Sequence, residues 1–145
     1  MQLVTILYRL AVSFWVGGAA LFTFLLTPAI FKSYSRDLAG GIVGVLFPGY
    51  FRWGLACGAL ALICLAVSKG SPAGVSAIII AAMMIITAVQ AFVIEPRAVE
   101  LKKAIHSFEI TSDNPLRAEF RKLHGISAAS NLAVIGGGVA LVVLF

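Results

Sequence analysis

The sequence predicts an all-α integral membrane protein, built as one bundle of four spanning helices in up-down-up-down order. Of its 145 residues, 61% are hydrophobic and only 12% are charged, and the mean hydropathy is +1.03. Soluble domains are nearer half apolar and a quarter charged. A chain of this size cannot bury so much apolar surface in its own core, so the surrounding solvent must be lipid. The composition therefore excludes a soluble enzyme, a nucleic-acid-binding domain and a disordered tail.

Four apolar stretches are long enough to cross a bilayer, which needs about 20 residues per helix. They are residues 3–31, 42–67, 73–94 and 123–145. We expect them to form a single domain over residues 1–145. The first stretch is too long for a signal peptide and has no basic segment before it, so it is predicted to be retained as a span.

The connections between these stretches differ in character. Residues 32–41 and 68–72 are short, and the second of these is predicted to be a tight hairpin loop, whereas 95–122 is the long polar segment. Within the long segment, residues 97–108 are predicted to form a short amphipathic helix opened by Pro96. Asn114 and Pro115 have the pattern of an N-cap and first residue of a helix that runs into the fourth span. The apolar positions of the amphipathic helix are Leu101, Ile105 and Phe108.

The basic residues predict the orientation. Eight of the eleven Lys and Arg residues lie in the first and third connections. By the positive-inside rule these two connections are cytoplasmic and both termini lie outside, most simply in a cell inner membrane. Arg9, on the opposite side, is expected to extend towards the outer headgroups.

Small residues recur at the spacing that lets membrane helices approach closely. Gly54 and Gly58 form such a pair in the second span, and three residues continue the pattern in the fourth: Ala129, Ala133 and Gly137. These rows serve packing within one bundle or contact between copies in a homo-oligomer. We favour an outward-facing fourth helix near Gly137 as the oligomer contact. Pro48 and Gly49 are expected to kink or loosen the second span.

Polar residues inside the apolar stretches are the candidate site, because such residues are unfavourable in a bilayer and mark function or pairing. They could converge on one inward-facing cluster near the cytoplasmic side: Arg52, Thr87, Gln90, Glu95, His124, Ser127 and Asn131. One interpretation is structural, with Arg52 and Glu95 paired within about 4 Å. The other is a binding site for a polar or ionic ligand, or a proton relay, since a histidine beside a carboxylate titrates near neutral pH.

The sequence gives little support for metal or catalytic chemistry. His106 and His124 are the only histidines, and four other soft ligands lack the clustered spacing of a metal site and are better explained by packing: Cys57, Cys64, Met83 and Met84. No Ser-His-Asp arrangement, phosphate loop or intramembrane carboxylate pair is present. We therefore predict no catalytic residues, no metal site and no cofactor.

Several strings resemble a known family of membrane proteins. They are Leu46-Phe47-Pro48-Gly49-Tyr50-Phe51, Glu95-Pro96-Arg97, and Leu123-His124-Gly125-Ile126-Ser127 followed by Asn131-Leu132. The chain resembles the transmembrane-protein-205-like proteins, grouped as domain of unknown function 4149, over nearly its whole length. It is also distantly similar to copper-resistance-D-like proteins and to haem-holding four-helix oxidoreductases. Those relatives carry a histidine early in the first span, where this chain has Tyr8 and Arg9.

The leading functional hypothesis is a non-enzymatic homo-oligomer that handles or exports a small polar solute or metal species. Its partners would be the lipid bilayer, further copies of itself and a small ligand, and not nucleic acid. Two alternatives are a scaffold that stabilises another membrane complex and a membrane oxidoreductase that uses haem or a quinone.

Overall fold

A computed structural model describes residues 2–68, 73–109 and 114–144, and every regular element in these ranges is helical. The first span comprises an α-helix Gln2–Leu21, a π-helical turn Phe22–Leu26 and an α-helix Thr27–Ser33. The second span is Arg36–Val67, the third comprises Ala73–Val89, a π-helical turn Gln90–Ile94 and Glu95–Ile105, and the fourth is Pro115–Leu144. All four are long and apolar enough to cross a membrane. The all-α four-span prediction is confirmed; residues 69–72 of the predicted hairpin loop, Asp113 and Phe145 lie outside the described residues.

The four spans pack in a ring. The first and third spans each contact both the second and the fourth. Two of the spans begin directly after a residue whose side chain caps the helix. Ser35 accepts a hydrogen bond from the Leu38 amide at 3.4 Å, so the second span begins six residues earlier than predicted. Asn114 accepts from the Leu116 amide at 3.0 Å, which confirms the predicted N-cap before Pro115.

Each π-helical turn ends just before a proline. The Thr27 amide donates to the Phe22 carbonyl, and the Glu95 amide donates to the Gln90 carbonyl, five residues back instead of four. A proline lacks an amide hydrogen, and its ring clashes with the carbonyl four residues before it. Widening the preceding turn relieves that clash at Pro28 and Pro96, so both helices continue. The second span likewise stays α-helical through Pro48.

The amphipathic helix of the third connection is not a separate element. It is Glu95–Ile105, a direct continuation of the third span beyond the π-helical turn, and it ends three residues earlier than predicted. Its apolar face is as expected, with Leu101 and Ile105 buried. His106 then reverses the chain with φ 62° and ψ −53°, as the Ser107 amide donates to the Ile105 carbonyl at 2.7 Å. This is a γ-turn with positive φ, which is rare outside glycine.

Small residues bring the first and second spans together. A Cβ added at Gly54 would lie 2.7 Å from Nε1 of the buried Trp15, and one at Gly58 would lie 2.8 Å from Cζ3 of the same ring. The Trp15 indole therefore lies across both glycines, and this row serves packing within the bundle. Gly137 also faces inward, since a Cβ there would lie 3.0 Å from Met83. The expectation that Gly137 faces outward is wrong.

The core lies towards the end of the bundle that holds both termini. It contains the two free cysteines, Cys57 and Cys64, together with Trp15 and Met83. The other end carries the first and third connections and most of the positive charge, and we call it the basic end. The hydrophobic core thus lies at the end with the termini, where a pocket of about 230 Å³ lies beside Tyr8 and Leu141, and a cavity of about 600 Å³ lies at the basic end.

Candidate functional site

Three of the predicted polar residues form a buried hydrogen-bond network between the spans. Asn131 Oδ1 accepts from Gln90 Nε2 and from the Tyr50 hydroxyl, each at 3.2 Å. Ser127 Oγ donates to Gln90 Oε1 at 2.9 Å. Gln90 is 1% exposed and Asn131 is 7% exposed. The network joins the second, third and fourth spans and satisfies side chains that would be unfavourable alone in lipid.

Tyr50 also belongs to the hydrogen-bond network, although it is not among the polar residues predicted from the sequence. Its ring stacks on Phe22 with centroids 4.6 Å apart, and Phe22 belongs to the π-helical turn of the first span. Phe47 and Phe51, on the helix turns beside Tyr50, stack with centroids 5.4 Å apart. These aromatic rings and the hydrogen-bond network form one layer across the bundle, which we call the polar–aromatic layer. Gln90 belongs to the second π-helical turn, so the widened part of the third span lies in the same layer.

The other predicted cluster residues lie apart from this network. Thr87 donates to the Met83 carbonyl of its own helix at 2.8 Å. Arg52 is exposed and does not pair with Glu95; within the described residues the ion pairs are those of Arg97, at 3.2 Å to Glu100 and 2.8 Å to Glu119. The predicted pair is therefore wrong. The reason is helical geometry: the neighbouring Phe51 faces the core, and one residue further turns a side chain by about 100°.

Glu95 and His124 lie closer to the basic end than the hydrogen-bond network does. Glu95 is half-buried and interacts electrostatically with Lys102, two turns further along the same helix. His124 is exposed, and its ring stacks on Phe120 with centroids 6.4 Å apart and an interplanar angle of 9°. His124 is thus one turn from Ser127 but outside the network, at the wall of a cavity.

That cavity has a volume of about 600 Å³ and lies at the basic end. It is lined by the end of the first span, the start of the second, the end of the third with the residues that follow it, and the start of the fourth. Its lining residues are Thr27, Phe31, Arg36, Gly40, Val43, Phe47, Lys102, Phe108, Asn114, Arg117, Phe120, Arg121 and His124. Four of them are Lys or Arg and none is Asp or Glu, so the cavity is both cationic and aromatic.

The third connection is held over the cavity by contacts with the first. Asp37 accepts from the Ser107 hydroxyl and from the Phe108 amide, the latter at 2.7 Å. Arg117 donates to the Ser107 carbonyl at 2.6 Å and lies 5.6 Å from the centroid of the Phe108 ring. Lys102 donates to the Gly40 carbonyl. These bonds fix one wall of the cavity, and they occupy two of its four cations.

The remaining cations form no side-chain ion pair in the described part of the chain, and Glu109 accepts a hydrogen bond from the backbone amide of Arg36 at 2.7 Å. No ion pair there involves the side chain of Arg36 or Arg121, and both residues are exposed. The carboxylate nearest to Arg36 in sequence is Asp37, which bonds the third connection, and Glu119 bonds Arg97. Among the described residues no group of three or more His, Cys, Asp or Glu is arranged to hold a metal ion. The site is therefore suited to an anion.

The first and fourth spans part at the cavity. The fourth span packs against Gln2–Leu21, whereas the Thr27–Ser33 segment packs against the second span. Phe31 on one side of the resulting gap is 41% exposed, and His124 on the other side is also exposed. The Thr27–Ser33 segment and the fourth span therefore line the cavity from two sides with little contact between them.

These features define a helical membrane protein with a one-sided cationic cavity. The chain belongs to the family described as a domain of unknown function (DUF4149), whose model matches residues 10–107. That match includes the polar–aromatic residues of the second and third spans but ends before the fourth. A relative from Aquifex aeolicus (strain VF5), named only as an uncharacterized protein, is 27% identical over 124 residues, covering 85% of this chain and 82% of the relative. No solved structure matches the chain.

Proposed function

We propose that this protein handles a small anionic solute, which it binds in the cavity at its basic end. The observation that carries the proposal is the lining of this cavity of about 600 Å³: its described residues include four Lys or Arg side chains and no carboxylate. Cations near a bilayer are costly unless paired, so an anion that pairs with Arg36 and Arg121 is the ligand that this lining favours. The predicted small polar solute is thereby narrowed to a negatively charged one.

The polar–aromatic layer favours a protein that moves this solute across the membrane, for example by export, over a protein that only stores it. The layer lies directly beneath the cavity, since Phe47 lines the cavity and Tyr50, one turn deeper, donates to Asn131. A carrier needs a site reached from one side and a barrier that can rearrange. Hydrogen bonds between side chains on three different spans are suited to such a barrier, because each can be exchanged for water. By the positive-inside rule the cavity faces the cytoplasm of a cell with an inner membrane.

We further propose that the protein acts as a homo-oligomer. Ala129, Ala133 and Gly136 are exposed on the fourth span, and nothing lies within 4 Å of a Cβ added at Gly136. Small residues on an exposed face favour close packing of helices in lipid. The same face would serve the alternative function, a scaffold for another membrane complex. We also propose the finer resemblances to transmembrane-protein-205-like and copper-resistance-D-like proteins. A metal species is the alternative cargo, but the cationic lining of the cavity disfavours it.

The proposal is tested by anion-dependent stability of the purified protein. Inorganic phosphate should raise the unfolding temperature above that in chloride at equal ionic strength. At ten times the dissociation constant the added stability is about 1.4 kcal/mol. Arg121→Gln should remove this gain, whereas Lys122→Gln, the adjacent residue outside the lining, should keep it. Equal gains in both variants, or none in the unmodified protein, would refute phosphate binding in this cavity.

A further inference from the structure

We infer that the occupant of the cavity is an anionic phospholipid, with its phosphate among the arginines and its acyl chains against the deeper aromatic wall. This rests on the proposed function and names its substrate class. Three independent features of the cavity support it: the order of polarity along its walls, its position between two neighbouring spans, and its unpaired charges.

The walls change from charged to apolar with depth. On the second span the lining residues follow one another by about a turn, from Arg36 at the connection through Gly40 and Val43 to Phe47. On the fourth span Arg117 and Arg121 precede His124. On the second-span wall charge therefore lies at the mouth and apolar surface lies deeper, whereas the fourth-span wall changes from arginine to the ring of His124. A soluble anion uses only the mouth, whereas a phospholipid matches both parts.

The position of the cavity between two neighbouring spans suits the entry of a lipid. The Thr27–Ser33 segment and the fourth span belong to neighbouring spans of the ring, and Phe31 and His124 line the cavity on these two sides, so a gap between them would face lipid. A molecule moving within the leaflet can enter through such a gap without leaving the membrane. A cavity that served only water-soluble ions would need an opening towards the aqueous side alone.

The charges match the headgroup of an anionic lipid. Arg36 and Arg121 have no ion pair in the described part of the chain, and they lie on opposite walls of the mouth. Basic pockets between membrane helices on the cytoplasmic side are a recurrent way to bind acidic headgroups. A guanidinium group also donates two parallel hydrogen bonds to phosphate oxygens. His124 adds a ring nitrogen just below them.

The volume also favours a lipid. About 600 Å³ lies in the middle of the range of about 300–1,000 Å³ that holds drug-sized ligands. A phosphate ion alone would leave the cavity faces of Phe31, Phe47 and Phe120 uncovered, whereas the glycerol backbone and upper chains of a phospholipid would cover them. The site is thus built for an amphiphile.

Native mass spectrometry of the delipidated protein in mild detergent tests this inference. The protein is titrated with phosphatidylglycerol, with phosphatidylcholine of the same acyl chains, and with inorganic phosphate. We expect one tightly bound phosphatidylglycerol, preferred over phosphatidylcholine. Arg121→Gln should weaken that binding by about fivefold, the effect of one basic group near an anionic headgroup. Lys122→Gln, the adjacent control, should leave it unchanged.

Each other outcome has a separate meaning. If phosphate binds in an Arg121-dependent way but phosphatidylglycerol binds no better than phosphatidylcholine, the lipid inference is overturned and the proposed function stands. If neither phosphate nor phosphatidylglycerol binds, both are overturned. If Arg121→Gln and Lys122→Gln weaken lipid binding equally, the lipid is held by the general charge of the basic end, and the cavity inference is overturned.

Discussion

Trp15 packs closely against Gly54, and an added methyl group tests this contact. In Gly54→Ala the new Cβ would lie 2.7 Å from Nε1 and 3.3 Å from Cδ1 of the Trp15 ring. Ordinary carbon contacts are about 3.5–4.0 Å. Because Trp15 is only 2% exposed, its ring has no free space to move into. The first and second spans must therefore separate slightly.

The magnitude follows from two opposing effects. Replacing glycine by alanine inside a helix stabilises it by about 1 kcal/mol. Overpacking a well-packed core typically destabilises by about 1–3 kcal/mol. Gly49→Ala supplies the control, because Gly49 is in the same helix and nothing lies within 4 Å of its added Cβ. The helix effect cancels between the two variants, so Gly54→Ala should be less stable than Gly49→Ala by about 1–3 kcal/mol.

The assay is thermal unfolding in mild detergent with a thiol-reactive dye. Cys57 and Cys64 are both buried, so they react only when the bundle opens. Trp15→Phe should lessen the penalty of Gly54→Ala, because the pyrrole edge that meets the new Cβ is removed, and a double-mutant cycle measures this coupling. Equal stability of the two glycine variants, together with additive effects of Trp15→Phe, would refute the packing described.

Three further predictions concern the rest of the bundle. Asn131→Leu leaves the Gln90 amide and the Tyr50 hydroxyl without their shared acceptor, so thermal unfolding should show a loss of about 1–3 kcal/mol; an unchanged unfolding temperature would mean that the network does not form. His106→Gly should be at least as stable as His106→Ala, because glycine adopts φ 62° without strain, and a more stable alanine variant in the same assay would contradict the γ-turn. Ala133→Leu, on the exposed face, should lower the particle mass measured by light scattering, whereas Gly137→Leu should lower stability through Met83; the reverse result would place the oligomer contact on the Gly137 face.

The fold was largely predictable because hydropathy alone defines membrane spans. The helix ends were predictable only where a capping pattern was recognised. Asn114 before Pro115 gave the start of the fourth span, whereas Ser35 was missed and the second span was placed too short. The continuous third span was not foreseen because Pro96 indicates a new helix. The π-helical turn that accommodates it has no distinctive sequence pattern.

The candidate site was predictable in part. Gln90, Ser127 and Asn131 were identified because polar residues are conspicuous in apolar stretches, and they do meet. Tyr50 was not, because tyrosine is common in membrane helices. The pairing of Arg52 with Glu95 was predicted only from their similar depth in the bilayer. The direction in which the Arg52 side chain points around its helix was not considered.

The cavity could not be foreseen from spacing. Its four cations lie near the ends of three different spans, so it exists only once the third connection folds back onto the first. Asp37 stabilises that arrangement by accepting hydrogen bonds from the Ser107 hydroxyl and the Phe108 amide, which lie 70 and 71 residues further along the chain. The positive-inside pattern gave the sign of the charge at this end but not the concave shape.

The most direct test of the account is a high-resolution structure of the protein in a bilayer that contains phosphatidylglycerol. We predict a phosphate group in the cavity mouth within hydrogen-bonding distance of Arg121 and Arg36, with acyl chain along Phe31 and Phe47. A cavity filled by its own side chains or by water, with ordered anionic lipid bound elsewhere on the bundle, would contradict the account.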